Sequence, residues 1–235
     1  MEYRLDALSV ATKAWLIAAC VFIAVALPAA VFLTATNIAF KIDDVYKYEL
    51  DKTGAASEAA YGASGGDVGA ALSEYMRHDS DDLILIASAF DEEIKVFTEN
   101  DKAAMAKFRK ILDMGFILVM ALWPSLIVVF ILVARKEKKR YLRNAFRGSV
   151  AGFAFIFALV MAFANSQGIR NRFVSGLLRI SFSEDDALPQ LFSSSFPLSA
   201  GVIISIIAFV IFAILFYFTH RFYRETNIYR YKRDL

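Results

Sequence analysis

Two histidines, one cysteine and a few clustered carboxylates are the whole stock from which this chain of 235 residues could build acid–base or nucleophilic chemistry. His78 stands in the polar run Arg77-His78-Asp79. An imidazole there could serve as a base near neutral pH, or it could be a solvated loop side chain. His220 sits beside Arg221 at the end of an apolar run and reads as interfacial. Glu99 and Asp101, preceded by Glu92-Glu93, are further candidates for a base. Exposed carboxylates at their ordinary pKa are weak bases, however, and charged helix faces are commonly just solvated. Ser193-Ser194-Ser195 has no histidine close in sequence, and no Gly-x-Ser-x-Gly elbow occurs. Arg172 and Arg179 could hold a phosphate or a carboxylate through paired hydrogen bonds, or could anchor in lipid headgroups. Cys20 is single, so it permits neither an internal disulfide nor a cysteine-based metal site, and two histidines exclude a His-rich one. We expect no metal, no cofactor and no nucleic-acid partner.

The elements that must position these residues are set by apolarity. Hydrophobic residues make up 58% of the chain, with 22 Phe and a mean hydropathy of +0.49. The excess falls in blocks of about 20 residues, the length that crosses ~30 Å of hydrocarbon as a helix. Backbone groups in lipid have no outside partner, so each block must be helical. The expected fold is an all-α membrane protein with four transmembrane helices, near residues 14–39, 114–134, 148–164 and 198–219, as a single four-span domain. The third helix begins earlier, with Tyr141 and Phe146 in the interface. Pro28 and Trp123-Pro124 are expected bends. The first block is too long for a signal-peptide core and reads as a retained anchor. No span has an ionisable residue near its centre, which speaks against a channel or transporter.

Orientation follows from Lys and Arg. Residues 135–147 carry Arg135, Lys136, Lys138, Lys139, Arg140, Arg143 and Arg147 against Glu137 alone, and the tail carries Arg221, Arg224, Arg230, Lys232 and Arg233. With Arg4 and Lys13, these place both termini inside, in a plasma membrane. The basic stretch serves topology, rather than recognition of anionic lipid. Gly148, Gly152, Ala154, Ala158 and Ala162 let helices approach closely, within the bundle or, less simply, as a face for a helix–helix partner.

The outer segments, residues 41–110 and 166–197, are the long ones, and function should lie there. Gly54 to Gly69 reads as a mobile turn region, with no Lys-Ser/Thr to make it a phosphate loop. Val68, Leu72, Tyr75 and Met76 suggest a helix. Leu83, Ile86, Ala87 and Phe90 suggest a second, with Asp81-Asp82 at its N-terminus. Ile94, Phe97, Met105, Phe108 and Leu112 share a helical face leading into span two. Ile169, Phe173, Leu177 and Ile180 form another apolar stripe, and Ser183 to Asp186 has capping-box form. Amphipathic helical outer segments of this kind suggest a pocket open to the outer leaflet.

The order of these features resembles the bacterial four-span family called domain of unknown function 1461, the lipoprotein intramolecular transacylase family. Its first outer loop ends in a motif like Phe-Thr-x-Arg-Glu-x-x-His-Met-x-Asp-Val. Here the stretch is Phe97-Thr98-Glu99-Asn100-Asp101-Lys102-Ala103-Ala104-Met105-Ala106-Lys107-Phe108. Phe97, Thr98 and Met105 match, and Asp101 replaces the glutamate. Tyr75-Met76 is similar to a family Tyr-Leu, and Leu191-Phe192 with Phe196-Pro197 is similar to its Leu-Phe-Pro stretch. The motif histidine falls at Ala104 and its aspartate at Lys107. A second family histidine has no counterpart, with Asn171 or Phe173-Val174 in that neighbourhood. The resemblance implies a membrane lipid or lipoprotein as partner, with Phe97, Met105, Phe173, Arg172 and Arg179 as binding residues. The missing histidines imply loss of acyl transfer, or its performance by other groups such as His78. A purely structural subunit is the third reading.

Overall fold

The computed structural model describes residues 10–53, 63–89, 92–135, 139–168, 186–192 and 196–231. Their elements are α1 (Val10–Ala39), α2 (Asp43–Thr53), α3 (Gly65–Arg77), β1 (Ile86–Ala89), β2 (Glu92–Lys95), α4 (Glu99–Arg135), α5 (Lys139–Asn165), α6 (Ala187–Leu191) and α7 (Phe196–Tyr231). Among the described residues, four stretches are long and apolar enough to cross a membrane: Val10–Ala39, Glu99–Arg135, Tyr141–Asn165 and Phe196–Thr219. Large apolar side chains such as Val25, Ile117, Phe155 and Phe209 stand exposed on them, as lipid-facing residues must. The all-α membrane fold is thus as expected. α1 and α4 run unbroken through Pro28 and Pro124.

The chain divides into two compact units. One comprises Met1–Leu33, Ile117–Phe157 and Ala208–Leu235. Phe153 joins its helices, with its ring 4.9 Å from Phe32 and 4.7 Å from Phe212. The Cys20 thiol donates to the Tyr141 carbonyl at 3.2 Å. Gly148 and Gly152 of α5 pack against α1 within the chain, while Ala154, Ala158 and Ala162 are exposed. A Cβ on Gly148 would lie 2.9 Å from the Ala24 methyl, and one on Gly152 would lie 2.7 Å from the Ala24 carbonyl oxygen and 3.0 Å from Pro28 Cγ. Close backbone approach is the reason for glycine here. It makes these residues part of the bundle, and a partner helix at this face gains no support.

The other unit comprises Thr34–Phe116 and Ala158–Ile207. Here α2 and α3 pack side by side. A Cβ on Gly69 would meet the Asp43 carbonyl at 3.1 Å and the Lys47 nitrogen at 3.3 Å. Helix α3 starts at a capping box: Ser64 Oγ accepts from Asp67 N at 3.1 Å, and Asp67 Oδ2 accepts from Ser64 N at 3.2 Å. The glycine-rich turn therefore stops at Ser64, and Gly65 to Gly69 are helical. Residues 54–62 lie outside the described residues. Below the cap, Val68, Leu72, Tyr75 and Met76 are buried together, as their spacing predicts.

Where a second helix is expected from Leu83 onward, the described residues form two strands; Phe90 lies outside them. β1 pairs antiparallel with β2, Ile86 opposite Lys95 and Ala89 opposite Glu92. The physical reason is visible in burial. Ile86 is 53% exposed and its neighbour Ala87 only 5%, so adjacent side chains point to opposite faces. A helical face would have buried both. Asp82 starts no helix; its carboxylate accepts from Leu83 N at 2.8 Å. Ile94 accordingly belongs to β2, and the helical face entering span two begins only after Thr98.

Candidate functional site

The N-terminus of α4 is built around Thr98 and Asp101. Thr98 Oγ1 accepts from Asp101 N at 3.2 Å, and Asp101 Oδ2 accepts from Thr98 N at 3.0 Å, so the pair caps the helix reciprocally. The same carboxylate then reaches a distant segment. Its oxygens accept from Ala187 N at 2.9 Å and Leu188 N at 3.1 Å, the first two residues of α6. Thr98 also donates its hydroxyl proton to Asp186, and Asn100 donates to the same carboxylate at 3.5 Å. Asp101 is 0% exposed and Asp186 2%. Burial of two carboxylates is tolerable because N–H and O–H donors from the protein replace water. Asp101 thus has both oxygens committed to three backbone donors and ties residues 98–101 to 186–188. Glu99 points outward and pairs with Lys102 at 3.2 Å.

Below this clamp the core is aromatic. Tyr46 stacks on Phe196 at 6.0 Å, Phe192 lies 4.4 Å from Phe196, and Phe40 meets Phe108 edge-on at 4.9 Å. The Tyr46 hydroxyl donates to the Phe40 carbonyl at 2.9 Å, and burial pushes its pKa up. Glu49, fully buried in α2, accepts from the Ser199 hydroxyl of α7 at 2.7 Å. Ala104 and Met105 face this core, and Phe97 is buried at its edge, where it also lines a shallow cleft with Leu83, Ile84, Leu85, Asp82, Lys95 and Lys102. The Lys102 ammonium in that cleft is 3.1 Å from the Asp82 carboxylate and 3.2 Å from that of Glu99.

His78 lies apart from the clamp. It ends α3 in the left-handed conformation, φ 66°. Its Nε2 is 3.0 Å from Asp113 Oδ1, and Arg109 Nε donates to Nδ1 at 3.1 Å. Because Nδ1 accepts, the ring proton belongs on Nε2, where it is donated to Asp113. Arg109 also stacks its guanidinium 4.5 Å over the Tyr75 ring and donates to the Ser80 carbonyl. The His78 and Asp113 side chains are 48% and 39% exposed, so water reaches the group.

The candidates therefore separate into two places, Asp101 with Phe97 and Met105 at the clamp and core, and His78 elsewhere. Arg172, Arg179, Phe173 and Ser183 lie outside the described residues; Asp186, the acidic end of the expected capping box, is instead the extended N-cap residue of α6 and makes no side-chain cap bond. Asp113, Arg109, Glu49 and Ser199 are additional polar residues that sequence reasoning passed over. Only Arg109 and Asp113 had a local signal, an i, i+4 pair on one helix face.

These features define a multi-pass helical membrane protein whose connecting segments pack into a capped, aromatic-lined unit. Among solved structures, the fold is similar to that of the membrane integral lipoprotein intramolecular transacylase Lit from Bacillus cereus. A form with one histidine replaced by alanine superposes with a TM-score of 0.71 at 14% identity, over 92% of this chain and 97% of that one. A form with histidine replaced by arginine gives 0.69 at 16%, over 92% and 95%. A third structure gives 0.68 at 14%, over 90% and 97%. No protein-family model and no curated protein matches the sequence. The likeness is one of fold.

Proposed function

We propose that this chain binds a lipid-modified protein or a membrane lipid at the extracytoplasmic face of a plasma membrane, and lacks histidine-based acyl transfer. Support for the binding half comes from the shared fold, since the similar structures are of a lipoprotein transacylase. The observation that carries the second half is Ala104. It occupies the position that the motif assigns to histidine, it is buried, and it sits one turn beyond Asp101. A methyl group cannot take a proton from an attacking amine. Thr98, which matches the motif, and Asp101, which replaces its glutamate, are at the same time the ones that fasten α4 to α6. On this reading the chain keeps the framework without the base. The charge bias of residues 135–147 and of the tail supports placing the clamp and strand pair outside.

Asp113 favours a second reading, with an enzyme that uses His78. A carboxylate holding one ring nitrogen orients an imidazole for base catalysis. Against it, Arg109 occupies the other nitrogen, so its lone pair is spent in this arrangement. The two readings separate in reconstituted bilayers with a synthetic diacylglyceryl-cysteine lipopeptide. We expect saturable binding with the lipopeptide recovered unchanged, equally in wild type and His78→Ala. Binding no stronger than to a protein-free bilayer sinks the proposal; an N-acylated product lost in His78→Ala establishes the second reading.

A further inference from the structure

We propose that the outer edge of β1 takes up, by strand addition, the extended polypeptide that follows the acylated N-terminus of a lipid-modified protein. This rests on the reading of the chain as a binder of such proteins, and names the part of the partner recognised besides its lipid. Among the described residues the sheet has two strands, so each strand has an edge with no neighbour. The register fixes which backbone groups lie there. Val96 N donates to the Leu85 carbonyl at 3.0 Å, and Ile86 stands opposite Lys95. In an antiparallel pair, bonded and non-bonded positions alternate. Leu85, Ala87 and Ala89 therefore turn their N–H and C=O groups toward β2, while Ile86 and Ser88 turn theirs away from it. Among the described residues these outward groups meet no hydrogen-bond partner.

The two edges differ in chemistry. β2 lies in the run Asp91-Glu92-Glu93-Ile94-Lys95, and charges along an edge keep other strands away. β1 lies in the run from Leu83 to Phe90, which holds no charge, proline or glycine. Ile84 and Ile86 stand exposed on it. An edge left unguarded in this way is open to a second chain. Its place in the fold indicates which chain. Phe97, which the family resemblance names as a binding residue, lines a cleft together with Ile84 and Leu85, so β1 continues that surface. A partner anchored by its acylated end leaves the lipid as a polypeptide whose N–H and C=O groups are unpaired. Main-chain bonds hold such a segment whatever its sequence, whereas side-chain pockets select one sequence. A class of partner defined by its lipid, and not by the residues that follow, calls for the first kind. β1, four residues long, offers ~13 Å of edge, room for about four residues of the partner.

The test uses the full chain in nanodiscs and two probes, a diacylglyceryl-cysteine amide and the same group extended by a short peptide. The extended probe should bind about tenfold more tightly, the scale of one or two main-chain hydrogen bonds. N-methylation of its backbone amides, one at a time, should weaken it about fivefold at every second position and leave the positions between unchanged. Ile86→Pro removes an outward donor and leaves the bonds to β2, which come from its neighbours. It should abolish most of the advantage of the extended probe and leave the short probe unaffected, whereas Ile86→Val should change neither. The N-methyl series leaves this chain unaltered, so it decides the matter if Ile86→Pro folds poorly. Equal affinity for the two probes would overturn the proposal, and so would N-methyl losses without alternation. Crosslinks between β1 edges of two copies that persist with the extended probe present would also overturn it, because the edge would then serve a second copy. Failure of both probes to bind would sink the underlying reading and this proposal together, an outcome distinct from equal binding of the two.

Discussion

Replacing Asp101 with alanine is expected to cost about 3 kcal/mol or more and to lower the melting temperature in detergent by many degrees. Three backbone N–H groups lose their acceptor at once, those of Thr98, Ala187 and Leu188. An unsatisfied buried donor costs about 1–3 kcal/mol, and bonds to a charged acceptor lie at the upper end. The site is fully buried, so water cannot step in without opening the junction. Asp101→Asn should fall between, because an amide offers one acceptor oxygen and turns two donors toward backbone donors. Thr98→Ala should be milder, losing the helix cap, worth about 1 kcal/mol, together with the hydroxyl bond to Asp186. Thermal unfolding of the three variants checks this order. An Asp101→Asn protein with wild-type melting would show that the carboxylate is not structural and return it to the list of bases.

Gly152→Leu is expected to have the next largest effect. The added Cβ alone would come within 2.7 Å of the Ala24 carbonyl oxygen and 3.0 Å of Pro28 Cγ. The first neighbour is helix backbone and the second a rigid ring, so neither can move aside as a flexible side chain would. α1 and α5 must separate along this crossing, with loss of contacts such as that between Phe32 and Phe153. Overpacking of this kind costs about 1–3 kcal/mol. Gly148→Ala should be milder, because it meets only the Ala24 methyl, at 2.9 Å. Melting in detergent, with crosslinking in membranes alongside, reads the result. A Gly152→Leu protein that melts normally but loses a crosslinked dimer would assign this face to association between chains.

What could be read without coordinates depended on how local the signal was. The spans were legible because lipid demands about 20 consecutive apolar residues, and little else produces such runs. The buried face of α3 was legible from Val68, Leu72, Tyr75 and Met76, since a 3.6-residue period over two turns has one reading. The run from Leu83 to Phe90 was too short for that. Its intervals of three, one and three fit a helix on paper, and the continuous apolar run Ile84-Leu85-Ile86-Ala87 has no alternation to mark a strand; only the structure shows exposure alternating along it, with Ile84 and Ile86 exposed and Ala87 buried. Ser64 and Asp67 carried a capping signal that the surrounding glycines obscured. The clamp was not legible at all, because Asp101 acquires its meaning from amides 86 and 87 residues away. The same holds for His78, whose partners stand 31 and 35 residues further along. Chemistry-bearing residues were identifiable by type; their roles depend on long-range neighbours that no spacing rule encodes.

The central claim is a transacylase-like framework that binds without transferring. Its most direct test is expression of the chain in a bacterium that makes diacylglyceryl lipoproteins, followed by mass spectrometry of lipoprotein N-termini. A histidine-bearing transacylase serves as the positive control. The account predicts that both acyl chains stay on the glyceryl group when this chain is inserted in the membrane, while the control moves one to the N-terminal amine. An acyl chain found on the N-terminal amine in cells expressing this chain alone would contradict it.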